Sequence, residues 1–511
     1  MSAPQAVIEI GSTGIRLLVA EPVDESLQRK FNILDRSEQP VNLGRDVFTG
    51  GSVSRETLEV CIRILERYGE QISSWGVSRE ETIVIATSAV REAKNRDIFL
   101  DRIKLKTGFT AAVVDGIEES RLMYLAAMEC IKEDATIRQS DSILLDISGG
   151  GTEMMLMENG RIVGAHSMRL GTVIIEQTIH SMLGNLEDAR RIIGEFIRNT
   201  KKTLNAEMDL NKIQQFIVLG NDMKIASLFA GKAISPFLWE VEREDFESFA
   251  DEVQRYTIEE CIAKFKLSYN DARTFQISLV AYKLFIGLTR AKKFVVPDTS
   301  IREGILLSQN QIADSEVQDD FTQQILAGAR ALLKKYQGDI NHAEYVRKMS
   351  LSLYKALYRD IEFGPQTQTL LEVSAILHDI GMFIRNENHH IHGKYIIENS
   401  EIFGLNLEEK DLAAMIVSFH KGKARPQDNH EFMLLPRAQR MKVLKLSAII
   451  RVADALDRTH KQPAYSFNVS PSKNTVTFRP KGYSNLSLEK MAVSEKGDLF
   501  EDIFGYKIVL V

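Results

Sequence analysis

Three cysteines in 511 residues leave little room for thiol chemistry. Cys61, Cys130 and Cys261 are far apart, lie in helix-like contexts and include no Cys-x-x-Cys pair, so they read as small apolar residues rather than a redox couple or a zinc site. Long hydrophobic runs are also missing: none approaches the roughly 18 residues that a membrane helix needs. The N-terminal stretch MSAPQAVIEIGS has no basic flank and carries Glu9 within its apolar part, which argues against a signal peptide. A cytoplasmic protein without membrane association is expected. An excess of basic charge is absent too, and a net charge of -6 argues against general nucleic-acid binding while leaving room for a local basic channel that receives an anionic substrate. What is present, 44% hydrophobic and 26% charged residues, is the composition of a soluble globular chain. At roughly 100 to 200 residues per domain, the length calls for about three domains.

The order of elements is α/β at first. AVIEIGSTGIRLLVAEP reads as strand, small-residue tip and strand, a hairpin rather than the strand-to-helix turn of a dinucleotide or P-loop site. From Ser54 a capped amphipathic helix follows, with Leu58, Cys61, Ile62, Leu65 and Tyr68 at helical spacing. TIVIATSAVREAKN then gives a buried strand and a polar turn, and GFTAAVVDGIEESRLMYLAAMECI gives strand, turn and helix. A second hairpin, LLDISGGGTEMMLMENGRIVGAHSMRLG, repeats the pattern of the first with a tip at Ser148–Thr152 and an Asn-Gly turn. Helical patterns cover about 172–206, QQFIVLG is a strand, and Ser300–Leu306 reads as a further tip. Past about residue 310 the chain turns to long helices bearing histidines, and from Tyr465 the stretches YSFNVSPSKNTVTFRPKG and GYKIVLV alternate as strands.

The segment LLDISGGGTE is the most informative. Three consecutive glycines cost backbone entropy and help a packed core only if something must come close to the main chain. Backbone N–H groups at such tips form anion-binding concavities, and two facing tips can clamp a phosphate chain. Asp146 at the strand end and Glu153 beyond the tip can hold Mg²⁺ against that chain, because a hard cation takes oxygen ligands.

Taken in order, IEIGSTGIRL, ATSAVREAKN, VVDGIEESRLMYL, LLDISGGGTEM, MRLGTV and SIREGIL resemble the exopolyphosphatase and guanosine pentaphosphate phosphohydrolase (Ppx/GppA) family over about residues 6–306. The resemblance implies an α/β actin-like (ASKHA) two-subdomain phosphatase core, followed by an all-α HD-type domain with a small β tail. The corresponding divisions are 1–133, 134–308 and 309–511. It implies a Mg²⁺-dependent exopolyphosphatase releasing terminal orthophosphate from inorganic polyphosphate. The alternatives are a guanosine pentaphosphate 5′-phosphohydrolase and a degenerate protein that senses polyphosphate or alarmone. A homodimer is also implied.

By the same resemblance Glu119 is the general base, and Glu9, Asp146 and Glu153 hold the metal. Gly11, Ser12, Thr13, Arg91, Ser148, Gly149, Gly150, Gly151, Thr152, Arg169 and Arg302 contact phosphate. Arg91, Arg169 and Arg302 can equally be surface ion-pair residues, and Glu118-Glu119 can serve only the dipole of its helix. The chain departs from the family at four places: Glu9 for aspartate, Thr13 for asparagine, an exchange of glycine and serine between positions 148 and 151, and Gly220-Asn221-Asp222-Met223 where a Ser-Gly-Thr tip is usual. An aspartate at that third tip repels phosphate.

In the helical part, His342, His378-Asp379 and Asp454 follow the H...HD...D order of HD-type metal phosphohydrolases, with His392 and His420 matching further histidines. Imidazole and carboxylate together suit a second divalent metal, of the transition series. The domain can also be structural. His389 and His390 read as exposed loop residues.

Overall fold

The computed structural model describes residues 3–23, 31–310, 315–357, 366–421, 428–463, 465–470, 474–481 and 486–511. The chain forms two compact units, 1–318 and 319–511.

The first unit holds two sheets. β1 (Gln5–Ile10), β2 (Gly14–Pro22), β3 (Phe31–Pro40), β4 (Ile83–Ala86) and β5 (Ala111–Val113) lie in the order β3-β2-β1-β4-β5. The first three form an antiparallel meander, and β4 and β5 continue parallel to β1. In the second sheet the strands are β6 (Ser142–Ile147), β7 (Thr152–Glu158), β8 (Arg161–Met168), β9 (Gln215–Val218), β10 (Gly231–Ser235), β11 (Leu238–Glu242) and β12 (Lys293–Pro297). Their order is β10-β11-β12-β9-β6-β7-β8. The run β8-β7-β6-β9-β12 repeats the first sheet's order and strand directions, which is the duplicated, actin-like arrangement. β1 and β6 are each central and buried along their length, so both read as nearly continuous apolar runs.

Local chemistry sets the elements. Asn159 and Gly160 both take positive φ, 50° and 71°, as the two-residue turn between β7 and β8 requires. Ser54 accepts a hydrogen bond from Thr57 N at 3.1 Å and starts the helix Arg55–Ser74, whose buried face includes Cys61, Leu65 and Tyr68. Asp115 caps the helix Gly116–Cys130 by accepting from Glu118 N at 2.8 Å, and so fixes the turn that presents Glu119. The stretch from Ser300, expected as a tip, opens the helix Ile301–Asn310. That helix packs against Gly116–Cys130 and β1, so residues after 300, grouped with the second subdomain on the sequence, join the first sheet's lobe. Gly304 permits this: a Cβ there would lie 2.1 Å from the Leu122 carbonyl oxygen.

In the second unit the helices Ile340–Ala356, Gln366–Leu377, Leu407–Ser418 and Arg437–Ala455 pack together, with His389–Glu398 against Leu407–Ser418. A small sheet follows, β13 (Tyr465–Ser470), β14 (Thr475–Pro480) and β15 (Lys507–Leu510). Residues 471–473, inside the stretch expected as strand, lie outside the described residues. Fully buried Arg451 ties the bundle to this end of the chain, donating to the Phe419 carbonyl at 3.3 Å, the Lys496 carbonyl at 3.1 Å and Asp498 Oδ1 at 2.8 Å. Among the described residues no helix is long and apolar enough to cross a membrane.

Gly304→Ala is expected to destabilise the first unit by about 1–3 kcal/mol, because the added methyl must push one helix off the other. Gly50→Ala, where nothing lies within 4 Å of the new Cβ, is expected to be near neutral. Urea unfolding of both variants measures the difference.

Candidate active site

The two hairpin tips meet between the sheets. A Cβ on Gly149 would sit 3.1 Å from Ser12 Cβ, and one on Gly150 would sit 2.4 Å from Ser88 Oγ and 2.8 Å from the Phe48 ring. A Cβ on Gly171 would lie 2.2 Å from the Gly149 carbonyl oxygen. Part of the need for glycine is therefore internal: the visitor to Gly150 is the other lobe of the protein. Ser12 Oγ and Ser88 Oγ share a hydrogen bond of 3.2 Å on the first sheet's side of the junction. Beside it opens a cleft of about 410 Å³, lined by Gly11, Ser12, Thr13, Ser88, Ser148, Gly149, Glu119 and Asp146 among others.

Four of the expected carboxylates occupy distinct settings. Glu119 is reached by Arg91 Nη1 at 3.2 Å, and Arg91 is itself anchored on the Val114 carbonyl at 2.6 Å. Burial raises the Glu119 pKa, with Arg91 opposing. Asp146 is pushed up to about 7, first by burial and then by the neighbouring Glu119 and Glu9 carboxylates. Glu9 is bracketed by Arg16 Nη1 at 3.2 Å and Arg302 Nε at 3.4 Å. Glu153 faces Asp146 across the β6–β7 register, but its oxygens accept from Ser120 Oγ at 3.0 Å and Ser167 Oγ at 2.7 Å, and it does not line the cleft.

Other expected phosphate contacts are not brought to the cleft. The Thr152 hydroxyl is buried and donates to the Leu170 carbonyl at 2.6 Å. Gly150 and Gly151 lie behind the tip, against Ser88 and against the Met168 carbonyl. Arg169 is 71% exposed at its side chain and pairs with Glu92 at 2.9 Å. At the altered third tip, Gly220 takes φ 107°, a conformation suited to glycine, and Asp222 does line the cleft. Burial drives the Asp222 pKa up to about 7, with a hydrogen bond from Ser278 opposing.

Several residues of the site carried no readable signal. Tyr282, inside a long apolar helix, donates to the Leu219 carbonyl at 2.6 Å and accepts from Ile147 N at 2.9 Å, so it binds the ends of β9 and β6 together. Lys224 and Arg36 meet at Asp298, at 2.6 and 3.3 Å. Arg16, in IGSTGIRL, draws its place in the site from Glu9 and Glu38, which the fold puts 3.2 and 2.8 Å from its guanidinium. The lining holds Glu9, Glu38, Glu119, Asp146, Asp222, Asp271, Asp298 and Glu303 against Arg16, Arg36, Lys224 and Arg302: eight carboxylates to four cations. Such a cleft repels a bare phosphate chain. Buried carboxylates that push one another toward neutrality are the donor set a hard divalent cation would fit, Asp146 foremost.

In the second unit His342, His378, Asp379 and Asp454 come together as expected. His342 Nε2 lies 3.2 Å from His378 Nε2, 3.8 Å from Asp379 Oδ2 and 3.6 Å from Asp454 Oδ1. His420 joins them, 3.4 Å from Asp379 Oδ1. The reading of His389 as an exposed loop residue is corrected: it is buried, begins the helix His389–Glu398 and places Nε2 3.0 Å from Asp379 Oδ1. His392, one turn along that helix, is half-buried and outside the cluster. Burial lowers the pKa of His378, and that of His420 to about 4, which keeps both imidazoles neutral.

Two sheets of actin-like order around an acidic, glycine-tipped cleft define a phosphoryl-transfer class of protein. Residues 18–312 match the Ppx/GppA phosphatase family and residues 326–491 match Ppx/GppA phosphatase, domain III. The chain belongs to the Ppx/GppA phosphatase family, whose members hydrolyse phosphoanhydride bonds. It is 22% identical over 460 residues, 88% of this chain and 86% of the relative, to a guanosine-5′-triphosphate,3′-diphosphate pyrophosphatase of Pseudoalteromonas atlantica. A protein of the same name from Photobacterium profundum is 21% identical over 92% of this chain and 91% of its own. Among solved structures, an exopolyphosphatase from Cytophaga hutchinsonii superposes with a TM-score of 0.53 at 19% identity, over 60% of this chain and 97% of that one, and shares the fold.

The raised pKa values have a sign that stability measurements can read. A carboxyl whose folded pKa lies above its unfolded value stabilises the fold below about pH 4 and loses that contribution as pH rises through about 7. Metal-free Asp146→Asn should therefore melt higher than wild type at pH 8 and no higher at pH 4. Mg²⁺ should raise the wild-type Tm more at pH 8 than at pH 5.5, where the ion must displace a proton. Thermal melts at these pH values, with and without Mg²⁺, check both.

Proposed function

We propose that the first unit removes the terminal phosphoryl group of guanosine pentaphosphate by attack of water, with Glu119 as the general base. The observation that carries this reading is the convergence of Glu119, Asp146 and the two tips on one acidic cleft. The guanosine substrate is supported by the name shared by the two relatives that match over most of both chains.

Glu119 is suited to take a proton because its raised pKa brings it nearer neutrality than a solvated glutamate, while Arg91 at 3.2 Å fixes its orientation. Gly11–Thr13 and Ser148–Gly149 line the cleft where phosphate oxygens would sit, while the Gly11 and Ser148 N–H groups hold the shape of the tips by donating to the Gly14 and Gly151 carbonyls at 2.9 and 2.8 Å. Asp146 would hold Mg²⁺, with Glu9 within its electrostatic reach. When bound, that ion supplies the charge neutralisation that eight carboxylates otherwise deny to a polyanion. Arg16 and Arg302 hold Glu9 in place. In the second unit, His342, His378, Asp379 and Asp454 read as ligands of a divalent transition metal in an HD-type domain, supported by their mutual distances.

Inorganic polyphosphate is the second reading. Among the described residues the cleft lining contains phosphate-facing tips and no aromatic side chain on which guanine would stack.

Glu119→Gln should fold normally and lose phosphate release by roughly a hundredfold to ten-thousandfold. Release of orthophosphate from guanosine pentaphosphate and from long-chain polyphosphate, each with Mg²⁺ and with chelator, ranks the two substrates. A Glu119→Gln variant with wild-type turnover on both would remove the assignment.

A further inference from the structure

The surplus of negative charge in the first unit's cleft has a definite place. Each cation of the lining already has a carboxylate. Arg16 reaches Glu9 at 3.2 Å and Glu38 at 2.8 Å, and Arg302 reaches Glu9 at 3.4 Å. Lys224 reaches Asp298 at 2.6 Å, and Arg36 reaches it at 3.3 Å and also pairs with Glu303. Glu119 has Arg91 at 3.2 Å. Among the described residues, the lining carboxylates without an ion-pair partner are Asp146, Asp222 and Asp271. A Mg²⁺ ion on Asp146 compensates the first and leaves the other two.

Both of these stand in the first turn of a helix, Asp222 in Asn221–Ala230 and Asp271 in Tyr269–Ile286. A helix N-terminus offers N–H groups and a partial positive charge, and in a phosphate cleft it is an ordinary seat for a phosphate oxygen. Here each helix brings its own carboxylate to that seat. Ser268 Oγ, the cap of the second helix, donates to Asp271 Oδ2 at 2.6 Å and holds it there. The third tip also borders the reaction centre: a Cβ on Gly220 would lie 3.6 Å from Asp146 Oδ1. Asp222 and Asp271 act on one another as like charges, and Asp222 acts in the same way on Asp146. A phosphate chain that fills the cleft from the two tips therefore comes under the field of this pair.

Resting on the reading of the cleft as the site of guanosine pentaphosphate hydrolysis, we infer that Asp222 and Asp271 are its substrate-selecting residues: they limit the run of phosphates that the cleft accepts, and so favour a short phosphate chain ending in a nucleoside over inorganic polyphosphate. Each further phosphate of a polyphosphate brings negative charge toward two carboxylates that no cation offsets. A nucleoside in the same place brings hydroxyl and N–H donors, which a carboxylate accepts. Selection of this kind works by repelling the competitor as much as by holding the substrate. A hydroxyl at the third tip would have the opposite effect, since it can donate to a phosphate oxygen.

The test uses the full-length chain with saturating Mg²⁺ at pH 8.5, above the value of about 7 to which burial raises the Asp222 carboxyl. Steady-state release of orthophosphate is followed on guanosine pentaphosphate, tripolyphosphate and long-chain polyphosphate, each counted per chain end. In the wild type, kcat/KM is expected to fall at least roughly tenfold from tripolyphosphate to the long chain, a readout that needs no variant. Asp222→Asn keeps the shape and removes the charge. In it kcat/KM on the long chain is expected to rise roughly tenfold, through KM, while that on guanosine pentaphosphate does not rise. Asp271→Asn should move the ratio of the two substrates in the same direction. A wild type that uses the long chain as well as tripolyphosphate, or folded variants in which both substrates change by the same factor, overturns the inference and leaves the guanosine pentaphosphate reading standing. A wild type that releases no orthophosphate from guanosine pentaphosphate overturns both.

Discussion

The first unit depends on a close approach of main chain to side chain at one point, where Gly149 and Gly150 pass within contact of Ser12, Ser88 and Phe48. Tips from both sheets share this junction, and the cleft lies beside it. Any side chain at Gly150 would meet Ser88 at a distance that atoms do not tolerate, so the lobes would have to part and the two hairpin tips would part with them. Gly171 and Gly304 repeat the device on either side: one lets the helix Thr172–Ser181 begin against the Gly149 carbonyl, the other lets Ile301–Asn310 lie on the helix that carries Glu119. Four glycines at three places thus fix the position of Glu119 relative to the tips.

Charge is the second constraint. With eight carboxylates against four cations, the cleft holds like charges at close range, and Asp146 and Asp222 are both pushed toward neutrality. The site is destabilising by itself and becomes favourable only with compensating positive charge. Function therefore sits where folding alone would have chosen otherwise. The second unit brings buried groups close in another way: Nε2 of His389 and His420 are 3.0 Å apart and Nε2 of His342 and His378 are 3.2 Å apart, all beside Asp379.

Local features were legible in the sequence because they depend on few neighbours. Ser54 as a cap, Asn159-Gly160 as a turn and the tips at Gly11–Thr13 and Ser148–Gly151 each follow from a handful of adjacent residues. The ordered motifs led to the family, and the order His342, His378-Asp379, Asp454 led to a cluster that the fold does assemble. What could not be read depends on partners distant in the chain. Nothing in the stretch around Tyr282 announces that its hydroxyl will join β6 to β9, and Gly304 has no meaning until Leu122 lies beside it. His389 lies in NENHHIHG, which is polar and looks like a loop; its neighbours in the fold are Asp379 and His420, 10 and 31 residues away. Thr152 and Arg169 show the converse: motif position assigns them to phosphate, while the Thr152 hydroxyl donates to the Leu170 carbonyl and the Arg169 guanidinium pairs with Glu92.

In the proposed reaction, water positioned by Glu119 attacks the terminal phosphorus of a phosphate chain held between the two tips. Hydrolysis of guanosine pentaphosphate in ¹⁸O-labelled water reports the atom attacked. One ¹⁸O in each released orthophosphate, with none in the remaining nucleotide, is the predicted result. Label in the nucleotide product, or release of labelled pyrophosphate in place of orthophosphate, would contradict it.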